Sequence, residues 1–318
     1  MITFINPKNT INFMRISLPA MVLAGVLVAA SLVLLCVRGL NFGLDFTGGT
    51  VIEVEYQQDA DLTPVREAIE KAGVSSPVVQ HFGSSRIVMI RIKPVEGVDQ
   101  KQTSDQVFRA AAGVQQGAKL NRVEYVGPSV GTELVTSGII AVCLSLLSIL
   151  IYVGARFEWR MASSAILALV HDTTITLGIF SLLGFEFDLT VLAAVLTIIG
   201  YSLNDTIVVF DRIRENVRIA REMSMKDIIN VSVTETLSRT VITSGTTMFT
   251  VLALLFFGGP MIFGFSFAMT IGIVVGTFSS IYVASALALY FGMKRENLIP
   301  PVPLKRDEEI IEVLDEDE

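Results

Sequence analysis

The sequence predicts an α-helical polytopic membrane protein with one water-exposed α+β domain set between its first and second spans. Three observations carry this. Of 318 residues, 52% are hydrophobic and only 17% charged, a larger apolar share than a soluble core needs. The apolar residues gather in six runs, each near the ~20 residues that cross a bilayer. Between the first two runs lies a polar interval, 39–134, whose apolar residues alternate between strand and helix periods.

Taken in order, residues 1–16 are polar and carry Lys8 and Arg15. The run SLPAMVLAGVLVAASLVLLCV that follows exceeds a signal-peptide core and has no A-x-A cleavage pattern after it, so it is expected to be an uncleaved span over 17–38. Further spans are expected over 135–154, 161–183, 189–210, 240–258 and 265–291. Six spans put both termini on one side. Arg156 and Arg160, then Arg212, Arg214, Arg218, Arg221 and Lys226, and finally Lys294 and Arg295 fall on the same side as Lys8 and Arg15, whereas the connections at 184–188 and 259–264 hold no Lys or Arg. The positive-inside rule makes that side cytoplasmic and 39–134 exported, which in a bacterial inner membrane means periplasmic.

Within the exported interval, TVIEVEY at 50–56 alternates as a strand. Val65, Ala68, Ile69 and Ala72 are spaced for a helix that stops at Gly73. SPVVQHF at 76–82 and RIVMIRI at 86–92 read as two strands joined by a turn at 83–85. A helix with Val107, Ala111 and Val114 on one face precedes a strand at 120–126. The order βαββαβ is the split βαβ, ferredoxin-like arrangement. No acid, base and nucleophile converge in it, His81 stands alone on a strand, and no enzymatic activity is expected.

Past the fourth span, 211–239 reads as a cytoplasmic amphipathic loop, with Ile219, Met223, Ile228 and Ile229 spaced for a helix lying along the membrane surface. The last span carries Ala268, Gly272, Gly276, Ser280, Ala284 and Ala288 at every fourth position, a strip that lets two helix backbones approach. The formal charge of -7 is set by the end of the cytoplasmic segment 292–318, where DEEIIEVLDEDE holds eight acids, and the rest of the chain is slightly positive. Two cysteines inside apolar runs and two distant histidines call for no disulfide, metal or cofactor.

The candidate functional residues are polar groups inside the spans. The run AVLTIIGYSLNDTIVVFDRIREN at 194–216 places Asn204 and Asp205 within apolar sequence, with Asp205 about 7 Å along the helix from the span's midpoint. An Asp at that depth costs roughly 2.5 to 3.5 kcal/mol on insertion scales, so intramembrane acids face protein or water and serve a function. His171 and Asp172 lie at the midpoint of the third span. The fifth opens with Arg239 and continues through Thr240, Thr243, Ser244, Thr246 and Thr247. An acid, a permanently charged guanidinium and a row of hydroxyls on separate helices suit a proton path through Asp205, Arg239, Asn204, Asp172 and Thr243.

Four stretches, GLNFGLDFTGGT at 39–50, VGPSVGTEL at 126–134, GYSLNDTIVVFDRIREN at 200–216 and TLSRTVITSGTT at 236–247, resemble signatures of the SecD/SecF family of the bacterial Sec translocase, within the RND superfamily. Phe46 and Thr47 before the paired glycines match its SecF branch; SecD members typically carry Leu-Arg there. The resemblance covers nearly the whole chain except the acidic tail. It implies an accessory subunit that pairs with SecD about a pseudo-two-fold axis and uses the proton-motive force to help complete export of polypeptide driven through SecYEG by SecA, with YajC and YidC as further partners. It also implies proton-path roles for Asp205 and Arg239. Two other readings of the residues remain: half of an RND-type small-molecule exporter, and an intramembrane aspartyl protease using Asp172 and Asp205, although neither acid sits in a GxGD or YD setting.

Overall fold

The computed structural model describes residues 10–93, 100–220 and 222–298. Lys8 and the acidic tail lie outside them. Six helices are long and apolar enough to cross a membrane. They are α1 (Ser17–Val37), entered through a 3-10 turn at Phe13–Ile16, α5 (Pro128–Arg156), α6 (Trp159–Leu183), α7 (Leu189–Ile219), α8 (Met225–Phe257) and α9 (Pro260–Phe278). The last continues through a π-helical turn, Ser279–Ala284, into α10 (Ser285–Tyr290) and is followed by the short α11 (Arg295–Leu298).

The α/β domain between α1 and α5 contains β1 (Asn41–Phe42), α2 (Leu44–Thr47), β2 (Gly49–Glu55), α3 (Leu62–Lys71), β3 (Val78–Phe82), β4 (Ser84–Ile92), α4 (Gln100–Ala112) and β5 (Lys119–Val126). Four strands form an antiparallel sheet in the order β3-β4-β2-β5. One face buries Ile52, Val54, Val88 and Ile90 against Val65 and Ile69 of α3 and Val107 and Ala111 of α4. The strand period of two and helix period of three to four meet in this core, as their spacing predicts. The phenol of Tyr56 donates to the Ala111 carbonyl at 3.0 Å, and burial pushes its pKa up to about 12. On the other face Val51 and Met89 pack on Leu44.

The paired glycines hold that second face to the membrane helices. Gly48 and Gly49 have φ of 64° and 117°, conformations that L side chains avoid, and a Cβ on Gly131 of α5 would stand 3.2 Å from the Gly48 nitrogen. The domain is fastened a second time where β1 pairs in parallel with the two-residue β6 (Glu186–Phe187) between α6 and α7. Arg91 of β4 pairs with Glu186 at 2.6 Å and donates to the Phe42 carbonyl at 2.8 Å. Asp45 accepts from the Leu189 amide at 3.0 Å, and Asp188 from the Val191 amide at 2.8 Å. Two carboxylates thus cap the free N–H groups that open α7. None of these short elements has enough periodicity to be visible in sequence.

The membrane core centres on α6, α7 and α9, with Ala165, Ala168, Ala194, Ile198, Ala268 and Ile273 all buried. The small-residue strip lies against α7: a Cβ on Gly272 would stand 2.4 Å from Ile198, and one on Gly276 3.2 Å from Ser202. By contrast α5 is almost bare, and much of α1 and α8 is open.

The structure corrects the surface-lying amphipathic loop expected at 211–239. Those residues continue α7 to Ile219 and start α8 at Met225, with only 220–224 between. Ile213, Val217, Ile228 and Ile229 are fully buried, while Ile219 and Met223 stay exposed. Asn216 donates to Ser232 at 3.0 Å and to Glu235 at 2.8 Å, and Arg212 reaches Glu235 at 2.7 Å. The amphipathic pattern is real, but the face it buries lies inside a helical hairpin. Asn230 and Thr234 of the same hairpin accept from the Met14 and Ile11 amides, which docks the segment before α1.

Candidate functional site

Among the polar residues within the spans, two nodes form on adjoining faces of α7. Asp205 is 3% exposed. Its carboxylate lies against the side chains of Asn204 and of Ser244 on α8, with Arg239 of α8 near enough for its charge to act on it. Ser244 in turn shares a hydrogen bond of 3.0 Å with Thr277 of α9, so a line of polar atoms crosses from α7 through α8 to α9.

Arg239 is not at the start of its helix, as hydropathy alone suggests. α8 begins at Met225, fourteen residues earlier, or about 21 Å at the α-helical rise. Arg239 and Asn204 are both exposed in the isolated chain. Asp205 therefore sits just beneath an open face of the α7–α8 pair, next to a cation that faces outward.

The second node is built on α6. Asp172, 1% exposed, accepts from Ser202 of α7, from Ser279 of the π turn at 2.7 Å, and pairs with His171 Nδ1 at 2.8 Å. Ser202 precedes Asp205 by three residues on one face of α7, and Ser279 follows Thr277 by two. The nodes are thus neighbours along two helices. π turns inside α-helices are frequent at functional sites, and here the turn starts at the residue that contacts the acid.

Of the sequence-predicted residues, the structure brings together Asp205, Arg239 and Asn204 and puts Asp172 one node away. Thr243 stays apart: its hydroxyl donates to the carbonyls of Arg239 and Thr240 at 3.0 and 3.1 Å on its own helix, the usual habit of a helical threonine. Sequence reasoning missed Ser279 and Thr277 because the last span reads as a packing strip. Their hydroxyls beside Gly276 were the available signal. Among the described residues no three His, Cys, Asp or Glu gather as a metal site.

Comparisons with known proteins agree on a family. Residues 106–294 match the family described as protein export membrane protein SecD/SecF, C-terminal, and residues 33–60 match the SecD/SecF GG motif. A relative from Vibrio alginolyticus, protein translocase subunit SecF, is 50% identical over 98% of this chain and 100% of its own length. One of the same description from Escherichia coli O157:H7 is 51% identical over 92% of this chain and 91% of its own. The crystal structure of SecDF from Thermus thermophilus, a translocon-associated membrane protein, superposes with a TM-score of 0.82 at 36% identity. That match takes in 90% of this chain but 39% of the SecDF chain, so this chain spans about two fifths of that protein. The chain is a multi-pass membrane protein belonging to the SecD/SecF family of protein-export membrane proteins.

Proposed function

We propose that this accessory subunit of the Sec translocase couples proton movement to polypeptide export through Asp205 and Arg239, in complex with SecD. The observation that carries the reading is the open face of α7 and α8. A buried acid lies beneath an outward-facing guanidinium within spans, and a charge at such depth belongs against protein or water. A second subunit covering that face supplies both. SecD is that partner; SecYEG, with YajC and YidC, forms the wider assembly that passes the unfolded polypeptide.

Arg156 at the end of α5 and Arg212, Arg214 and Arg218 near the end of α7 support a cytoplasmic placement of that side and of both termini. The α/β domain, attached at the opposite ends of the spans, is periplasmic. Its βαββαβ order and its sheet order β3-β4-β2-β5 support a ferredoxin-like fold acting as a rigid lever. No step of catalysis is assigned to it.

Mechanically, a proton on Asp205 cancels the carboxylate charge and weakens its attraction to Arg239, while the guanidinium keeps its charge throughout. The change falls between α7 and α8, and Ser244 and Thr277 extend it to α9. The far end of α7 is capped by Asp45 and adjoins β6, so a shift of α7 is passed to the exported domain. One charge moved through 100 mV supplies about 2.3 kcal/mol, enough to bias a two-state element about fifty-fold.

The test is export into membrane vesicles with and without an imposed proton gradient. Asp205→Asn keeps size and hydrogen bonding but not the titrating proton, so assembly should persist and the gradient's stimulation vanish, with ATP-driven translocation intact. Full stimulation in that variant would reduce Asp205 to a packing residue.

A further inference from the structure

We propose that His171 holds a transported proton on its Nε2 nitrogen, with Asp172 as its counter-charge, and that this proton-holding site relays to Asp205. The inference deepens the proton-coupling reading and rests on it. Its starting point is an orphaned atom: His171 is 5% exposed, and its Nε2 is buried with no hydrogen-bond partner among the described residues.

The tautomer follows from the contacts. Ser202 and Ser279 both donate to Asp172 Oδ2, and a carboxylate so placed can only accept from His171 Nδ1 as well. With Asp172 ionised, Nδ1 carries the hydrogen and Nε2 presents a lone pair to the interior. A buried acceptor left unmatched is costly if it serves nothing. A proton arriving at Nε2 turns an uncompensated buried carboxylate into a neutral imidazolium–carboxylate pair. It arrives and leaves by the same nitrogen, while the Nδ1–H bond to Asp172 is kept throughout, so no other bond is made or broken.

The position suits a relay. Asp172 is joined by its two serines to α7 and to the π turn, so the charge on the His171–Asp172 pair acts on the helices that carry Asp205 and Thr277. Other ionisable groups on the packed spans are few. α9 carries none, α1 only Cys36, and α5 only Cys143 and Tyr152 between its charged ends. Tyr290 of α10 is exposed. α7 adds Tyr201 and Asp205 before the charged segment that begins at Asp211, the π turn adds Tyr282, and α8 carries Lys226, Asp227, Glu235 and Arg239.

Two variants separate relay from scaffolding in the vesicle export assay, run in the assembled complex beside Asp205→Asn. His171→Asn retains a donor where Nδ1 stood, so Asp172 keeps its three contacts; His171→Gln offers its amide where Nε2 stood. Neither can take up a proton. Stimulation by the gradient should fall to the level seen without one in both, with ATP-driven export unchanged. Full stimulation in either, while Asp205→Asn has lost it, overturns the role of His171 and leaves Asp205 in place; full stimulation in Asp205→Asn itself removes the underlying reading. Should neither variant accumulate, His81→Ala leaves His171 as the only histidine of the two in the chain, and nitrogen NMR of the labelled full chain reads its ring directly. Uptake and loss of a proton at Nε2 as the medium is acidified and made alkaline is expected, and a single protonation state under every condition in which the chain stays folded overturns the proposal.

Discussion

In the proposed coupling, Arg239 acts as a fixed positive charge. A lysine at the same place keeps a positive charge but concentrates it on a flexible stem and loses the planar fork. Arg239→Lys should therefore keep part of the gradient's stimulation of export, and Arg239→Met should abolish it as Asp205→Asn does, with ATP-driven export equal in all three. Equal stimulation in Arg239→Met and wild type would show that the guanidinium serves only the interface with its surroundings. Asp205 and Arg239 were legible in sequence because a charge in an apolar run is conspicuous at any register. The His171–Asp172 node was half legible: its acid stands out, but nothing in a single chain says that Ser202 and Ser279, 30 and 107 residues away, close on it. That depends on the rotation of three helices about their axes, which hydropathy does not encode.

At the scale of elements, the contact between α7 and α9 sets how close the two nodes can come. Gly272 sits where a Cβ would meet three atoms of Ile198 within 2.8 Å, and the β-branched side chain has little freedom to retreat. Gly272→Ala should cost about 1 to 3 kcal/mol by overpacking. Gly245 of α8 provides the control, since nothing lies within 4 Å of its Cβ position. There alanine should be neutral or stabilising by up to about 1 kcal/mol. Thermal unfolding of the purified subunit in detergent reads both, and equal midpoints would show that α7 and α9 part easily. The small-residue strip was plain from its spacing, although its partner helix was not. Helix ends were less legible. Hydropathy finds the lipid-facing stretch, whereas α7 and α8 run on because Arg212, Asn216, Ser232 and Glu235 satisfy one another across the hairpin.

At the scale of the whole molecule, the proposed coupling requires the α/β domain to stay attached to α7, and the Arg91–Glu186 pair is a charged part of that attachment. The two side chains are 12% and 19% exposed. Burial raises the pKa of Glu186 above the ordinary carboxylate value, an effect that the nearby Arg91 only partly offsets. A raised folded value means that the attached form binds the proton more tightly than the unfolded chain does. Stability contributed by Glu186 is then fully present below its unfolded pKa and is lost as pH rises through the folded one. The contribution of Glu186 to the melting midpoint should accordingly decline across the carboxylate range, from about pH 4 upward, and Glu186→Gln should remove that decline relative to wild type by remaining neutral at every pH. Arg91→Ala acts in the opposite sense. It leaves the Glu186 carboxylate buried without its cation, so the loss should be greatest near neutral pH and recover as the medium is acidified. Restoring neutrality in the double variant Arg91→Ala, Glu186→Gln should recover much of the loss at neutral pH. If Arg91→Ala melts with the wild-type midpoint at every pH, the pair contributes nothing to attachment, and the β1–β6 pairing, the Asp45 cap on α7 and the paired-glycine contact hold the domain without it.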